Sequence, residues 1–161
     1  MLYRGEALRR AGRHVEAEGD LRAALDLAVA TGLVEEQWKV QYALGQLAQA
    51  AGDRAGARQL FERAIAIVES VRADLGAPAL RSELLADKRD VYDALIWLRL
   101  HDDPVSIADV FGLFEQSRAR AWRDRMRPGG EAPTLRAVPD HLPDDTLLLE
   151  YRSAHCRSSV P

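Results

Sequence analysis

Two copies of one motif stand about 40 residues apart in this chain, and a repeat of that length limits the fold more than any other feature of the sequence. Five small or apolar positions recur in the same order, with polar and variable residues between them. The matched positions are Gly5 and Gly45, Gly12 and Gly52, Ala17 and Ala57, Leu21 and Phe61, and Ala24 and Ala64. Such a pattern is typical of stacked helical units that each bury an apolar face on a neighbour.

The glycines of the motif predict how each unit is built. Gly5 and Gly45 lie inside a first helix, where glycine costs roughly 1 kcal/mol relative to alanine. We therefore expect another helix to pass there too closely for a Cβ atom. Gly12 and Gly52 end that helix at the left-handed position that glycine favours. Asp53 follows Gly52 and is placed to cap the next helix.

A single apolar stripe follows each turn. Its residues step by four, three and four along the chain, which places them on one face of a second helix. They are Ala17, Leu21, Ala24 and Ala28 in the first copy, and Ala57, Phe61, Ala64 and Val68 in the second. The small alanines predict close approach of the two helices in each antiparallel hairpin.

A third hairpin follows with a less regular pattern. Residues 78–101 are helical by pattern, residues 101–104 form a turn because Pro104 disfavours helix before it, and a sixth helix runs from about Val105 to Met126. Its apolar stripe is Ile107, Val110, Phe111 and Phe114. We interpret this pair as a capping hairpin. The expected fold over residues 1–127 is all-α, with about six antiparallel helices stacked as a right-handed α-solenoid of three hairpins.

The C-terminal part differs in composition. Residues 128–145 are a linker by their glycine and proline content. Thr146–Tyr151 is predicted to form one short strand. One strand cannot satisfy its own edges, so we interpret residues 146–161 as the start of a further domain followed by an irregular tail.

The repeat resembles the tetratricopeptide family. The resemblance is carried by Leu44, Gly45, Gly52, Ala57, Phe61 and Ala64, and less fully by the first copy, where Arg4 replaces the leucine. It implies a protein- or peptide-binding scaffold without catalytic activity. Because the repeat is longer than the family's usual period of about 34 residues, we expect longer second helices. The family's concave groove falls on Glu6, Arg9, Arg10, Lys39, Tyr42, Gln46 and Gln49, with Tyr92 extending the row. An ordinary polar helix face is the alternative for this set.

A second resemblance covers about residues 1–152. Leu80–Ile96, Phe114–Trp122 and Leu142–Tyr151 are similar, in that order, to the region that joins tetratricopeptide repeats to a caspase-like CHAT domain. This implies an alternative function, the regulatory N-terminal arm of a CHAT cysteine peptidase, with docking to that caspase-like domain. The catalytic dyad would lie outside the chain, so no catalytic residue carries over.

Composition excludes several classes. A net charge of −3 argues against nucleic-acid binding, although an arginine stripe between Arg118 and Arg127 keeps a contact with nucleic acid or an acidic partner as an alternative. No apolar run is long enough for a bilayer. The lone cysteine, Cys156, indicates a reducing compartment, and we expect a cytoplasmic protein. Exposed apolar residues at Leu147–Leu149 are expected to favour self-association.

Two clusters could carry chemistry, and neither has the required geometry. His155 and Cys156 are adjacent, which supplies no oriented base for a thiolate. His101, Asp102 and Asp103 are neighbours on a turn and rarely converge on one metal ion. We expect no catalytic residues, no metal and no cofactor.

Overall fold

The computed structural model describes residues 1–74, 88–118, 134–137, 143 and 146, and the regular structure within these ranges is entirely helical. The helices are α1 (Leu2–Arg10), α2 (His14–Ala30), α3 (Val34–Ala50), α4 (Arg54–Asp74), α5 (Arg89–Leu100) and α6 (Ile107–Arg118), followed by one 3-10 turn (Leu135–Ala137). The all-α prediction is confirmed for this part of the chain. The predicted strand lies outside it except for Thr146, whose amide donates to the Pro143 carbonyl at 2.9 Å.

Each helix packs against the next one along the chain, and α1 also contacts α3. The apolar residues between them form two clusters. The first joins α2 and α3 through residues such as Leu21, Val40 and Leu47. The second joins α3, α4, α5 and α6 around Phe61 and Leu98. Every hairpin thus shares its apolar surface with a neighbouring hairpin instead of enclosing a core of its own.

Three helices end in the same turn. Gly12, Gly32 and Gly52 have φ angles of 74°, 68° and 81°. In each turn the amide after the glycine donates to a carbonyl five residues earlier, and the three distances are all 2.9 Å, for Arg13 to Leu8, Leu33 to Ala28 and Asp53 to Ala48. These are Schellman caps, which require a left-handed residue at the glycine position. The prediction for Gly12 and Gly52 is confirmed. Gly32 lies midway between them in the sequence and closes α2 in the same way, so the turn recurs after every helix of this part and not only after every second one.

Helix crossings within the first two hairpins occur at the glycines that the repeat predicted. A Cβ atom on Gly5 would lie 2.7 Å from Leu21 Cγ, and one on Gly45 would lie 2.5 Å from Phe61 Cε1. Neither distance leaves room for a carbon atom. The glycine in the first helix and the large residue in the second therefore form one packing unit in each hairpin, as predicted.

The start of α4 is capped as expected from its sequence. The Asp53 carboxylate accepts a hydrogen bond from the Gly56 amide at 2.9 Å, which satisfies one of the free amides of the first turn. A Cβ atom on Gly56 would collide with the same carboxylate. Gly56 therefore leaves the space that the Asp53 cap occupies.

The predicted apolar stripes of α2 and α4 are buried along their whole length. All eight residues have an exposed fraction of 8% or less. The expected extra length of the second helices is only partly observed, because α2 and α3 both have 17 residues and α4 has 21. The additional residues of the long repeat are thus shared between first and second helices.

Only part of the predicted third hairpin lies within the described residues. Helix α5 begins at Arg89, and residues 75–87, which include the first part of the predicted helix, lie outside the described residues. In α6, Val110 is buried and Phe111 and Phe114 are half-buried, as expected. Ile107 does not follow its predicted stripe. It is 59% exposed because it is the first residue of α6 and flanks the connection from α5.

Candidate functional site

The first helices of the three hairpins, α1, α3 and α5, contribute charged and polar residues to one face of the molecule. Helix α3 lies at its centre and contacts α1 directly. On the other side, the Lys88 ammonium, one residue before α5, lies 3.6 Å from a Glu35 carboxylate oxygen at the start of α3. Polar side chains from three separate segments are thereby collected on one surface, which we call the α1–α3–α5 face.

Tyr42 lies at the middle of this face. Its half-buried ring packs on Phe61 with the ring centroids 5.7 Å apart. Burial raises the pKa of Tyr42 to about 12, and the Asp90 carboxylate adds to this effect, while the Gln46 amide and the Arg9 guanidinium oppose it. The phenol is therefore neutral at physiological pH and can both donate and accept a hydrogen bond.

The charged groups around Tyr42 come from opposite sides. Arg9 lies on α1, and Asp90 and Asp93 lie one turn apart on α5. Arg9 is half-buried, and its Nε is a buried donor with no hydrogen-bond partner among the described residues. The face thus presents a guanidinium on one side of the phenol and carboxylates on the other.

A second group of charges covers Trp38 at the start of α3. The Lys39 ammonium lies 3.2 Å from Glu35 and 3.7 Å from Glu36. Burial is the largest single influence on Lys39 and opposes its charged form, but the hydrogen bond to Glu35 and the charges of Glu35 and Glu36 together outweigh it and raise the pKa of the ammonium. Lys88 is almost fully buried, with its Nζ 5.2 Å from the centre of the Trp38 ring. These charges are already paired within the protein.

The structure places most of the predicted groove residues on the helices of this face as partly accessible side chains. Six of them are half-buried, namely Glu6, Arg9, Lys39, Tyr42, Gln46 and Gln49, and Arg10 is exposed. The prediction that Tyr92 extends this row is wrong. This residue is only 1% exposed, and its hydroxyl donates to Glu69 on α4 at 2.7 Å. Tyr92 turns toward α4 with Val91 and Leu95, so it belongs to the core.

Asp90 and Asp93 were not predicted as part of this surface. The repeat does not extend regularly into the third hairpin, so no register of α5 against α3 could be predicted. Their spacing of one helical turn was the available signal, but it occurs on many solvated helices.

The alternative chemical sites do not assemble in the described part of the chain. His101 Nδ1 lies 2.7 Å from the Trp97 carbonyl, and Asp102 pairs with Arg58 at 2.6 Å. No group of three or more potential metal ligands occurs among the described residues. His155, Cys156 and residues 119–127 lie outside those residues. None of the described helices is long and apolar enough to cross a membrane.

Comparison with known proteins found no matching family model, no matching curated protein and no matching solved structure.

Proposed function

We propose that this chain is a protein- or peptide-binding scaffold of the tetratricopeptide type, a helical solenoid that binds its ligand on the α1–α3–α5 face. The observation that carries the proposal is that the first and second helices of the hairpins carry different kinds of surface. The second helices, α2 and α4, bury continuous apolar stripes, whereas the first helices bring polar side chains from three hairpins onto one surface.

The chemistry of this face suits an extended peptide. Arg9 supplies a half-buried guanidinium at one side of the phenol, Tyr42 supplies a neutral phenol, and Gln46 supplies an amide that can pair with peptide groups in both directions. Tyrosine and arginine are the residue types that most often anchor interfaces. The helices that hold these groups are fixed by their glycine contacts, so little ordering is needed when a ligand binds.

The proposal is tested by selecting binders from a displayed library of random peptides and measuring their affinities by fluorescence anisotropy. Arg9→Glu is expected to weaken the selected peptides by roughly tenfold or more, because a lost hydrogen bond to a charged group costs about 1.5–3 kcal/mol. Tyr42→Phe keeps the ring on Phe61 and removes only the hydroxyl, so a smaller loss is expected.

Arg63→Glu is the matched control, because Arg63 is exposed on α4 and the charge change is the same. It should leave the affinities within about twofold. Circular dichroism spectra of all variants check that the helices remain. A library whose binders keep full affinity for both Arg9→Glu and Tyr42→Phe contradicts the proposal.

The alternative function, the regulatory arm of a CHAT peptidase, rests on segments that lie largely outside the described residues. No structural observation favours it, and the scaffold proposal does not depend on it.

A further inference from the structure

Two interfaces between hairpins use equivalent residues in different ways. Helix α2 packs on α3, and helix α4 packs on α5. At each interface the second helix presents a row of three polar residues spaced four apart. The α2 row is His14, Glu18 and Arg22, and the α4 row is Arg54, Arg58 and Glu62. Each member of one row is separated from its equivalent in the other by one full repeat.

The α4 row is occupied by the protein itself. Arg54 donates to the Leu98 carbonyl at 3.2 Å, Arg58 donates to the Asp102 carboxylate at 2.6 Å, and Glu62 accepts from Arg99 at 2.9 Å. All three partners lie at the end of α5 or in the turn after it. Every position of this row therefore meets a group of complementary charge or polarity.

The α2 row lines a cavity instead. A depression of about 280 Å³ lies between this row and the end of α3, with a floor that includes Leu44, Leu47 and Leu60. Ala48 on α3 and Ala51 directly after it also line the cavity, and their side chains are too short to reach the row. This volume is slightly below the usual size of small-molecule sites and suits one or two side chains of a partner.

The charge at the middle position is reversed between the rows. Arg58 binds a carboxylate, while its equivalent, Glu18, is itself a carboxylate. Glu18 contacts only Arg22 among the ion pairs of the described residues, at 2.7 Å, and both side chains are well exposed to solvent. Asp53 adds a second carboxylate to the lining of the cavity. Because a carboxylate can accept several hydrogen bonds at once, Glu18 can hold a second cation beside Arg22, whereas the equivalent Arg58 holds the Asp102 carboxylate.

We propose that the α2 cavity binds an arginine or lysine side chain of a partner protein, with the aliphatic part on Leu44, Leu47 and Leu60 and the charged end on Glu18. Long basic side chains bury their methylene groups on apolar surfaces while the charged end stays near solvent. The cavity shares no residue with the α1–α3–α5 face, so this interaction is independent of the proposed function and can succeed or fail separately from it.

The test uses the whole chain labelled with ¹⁵N and a pentapeptide, acetyl-Gly-Leu-Arg-Leu-Gly-amide, followed by amide chemical shifts. The peptide is added to about 5 mM, which detects dissociation constants in the millimolar range. Shifts are expected at Leu47, Ala51 and Leu60, and not at Tyr42 or Gln46. The same peptide with citrulline in place of arginine keeps the shape and removes the charge, so it should bind about fivefold more weakly.

Two variants test the role of Glu18. Glu18→Gln should weaken the arginine peptide by about the same fivefold factor, and Glu18→Arg, which copies the α4 row, should shift the preference to a glutamate peptide. Glu16→Gln is the matched control, because Glu16 is exposed on the same helix and pairs with Arg13; it should change nothing. Equal binding of the citrulline peptide, shifts confined to the α1–α3–α5 face, or no shifts at all would each overturn the inference.

Discussion

The first and second hairpins share one motif but differ in what surrounds it. In both, the glycine of the first helix contacts the large residue of the second, and Leu21 and Phe61 are both fully buried. Outside that contact, equivalent residues of the two hairpins differ in their exposure to solvent. Tyr3 is 77% exposed on α1, whereas its equivalent on α3, Ala43, is fully buried between helices. The contact inside a hairpin is therefore a local property of the repeat, and the burial of its outer face depends on neighbours.

A second difference concerns one pair of equivalent positions. In the first hairpin Arg4 and Asp20 form an ion pair between α1 and α2. In the second hairpin the same positions are Leu44 and Leu60, which both join the apolar cluster of α2 and α3. The exposed hairpin thus uses charge where the enclosed hairpin uses apolar contact, as expected if only the latter is shielded from water.

Truncation of the large residue should give the largest difference in stability loss between the two hairpins. Phe61→Ala is expected to lower the free energy of unfolding by about 3–5 kcal/mol, and Leu21→Ala by about 2–3 kcal/mol. Phe61 connects α3 to the cluster that contains α5, while Leu21 faces the short helix α1, which can move into the vacated space. Urea denaturation of both variants measures the difference. An equal or larger loss for Leu21→Ala would show that the second hairpin does not depend more strongly on its large residue.

Adding a methyl group at the crossing is the next test. Gly45→Ala is expected to destabilise by about 1–3 kcal/mol, because the Phe61 ring is enclosed and cannot rotate away. Gly5→Ala should cost less, since the nine-residue helix α1 has a free outer face. Gly19→Ala is the control: nothing lies near its Cβ position, so it should stabilise by up to about 1 kcal/mol.

A double variant tests whether the glycine and the large residue act together. Phe61→Leu combined with Gly45→Ala gives the second hairpin the large residue of the first, and leucine can adjust more easily than a phenyl ring. The double variant should recover part of the loss seen for Gly45→Ala alone. Additive losses in a double-mutant cycle would show that the two positions do not act as one unit.

Alkaline titration should distinguish the two first helices. The folded-state pKa of Tyr42 is about 12, above the unfolded value of about 10. Its contribution to stability is therefore complete below pH 10 and is lost as the pH rises through 12. The position equivalent to Tyr42 on α1 is Leu2, which cannot titrate. Absorbance at 295 nm should show an ionisation step near pH 12 that disappears in Tyr42→Phe; its persistence would assign the step to another tyrosine.

The smallest effect is expected from Asp20→Asn. The Arg4 guanidinium lowers the pKa of Asp20, so the stabilising effect of the pair is present above the usual carboxyl range and is lost as the pH falls through the lowered value. Because the Arg4 side chain is 72% exposed and solvent therefore reaches the pair, the loss should be smaller than any of the others and should vanish in about 1 M salt. Thermal unfolding at low and high salt measures it, and a salt-independent loss would contradict the expectation.

Much of the fold could be predicted because the recurring residues of the repeat show which positions of the two helices in a hairpin face each other. The two glycine contacts, the capped turns and the stripes of α2 and α4 all follow from residues that recur at fixed positions. Tyr92, Asp90 and Asp93 could not be placed in the same way. The third hairpin does not continue the repeat, so the rotation of α5 against α3 and α4 is decided by long-range contacts such as Tyr92 with Glu69. The cavity beside α2 could not be predicted either, because it exists only where Ala48 and Ala51 are too short to reach the polar row of α2.

The three glycine turns at Gly12, Gly32 and Gly52 have a consequence for how such a chain can grow or shrink. Since these three turns have the same form, the smallest interchangeable segment in this part of the chain is one helix with its turn, and two such segments restore the original direction of the chain. We expect the removal of a pair of segments to leave the first and second helices of the remaining hairpins in their places. Removing a single segment would exchange them, sending the polar surface inward and the apolar stripe to the solvent. We therefore expect this part of the chain to tolerate changes in length only in steps of two helices.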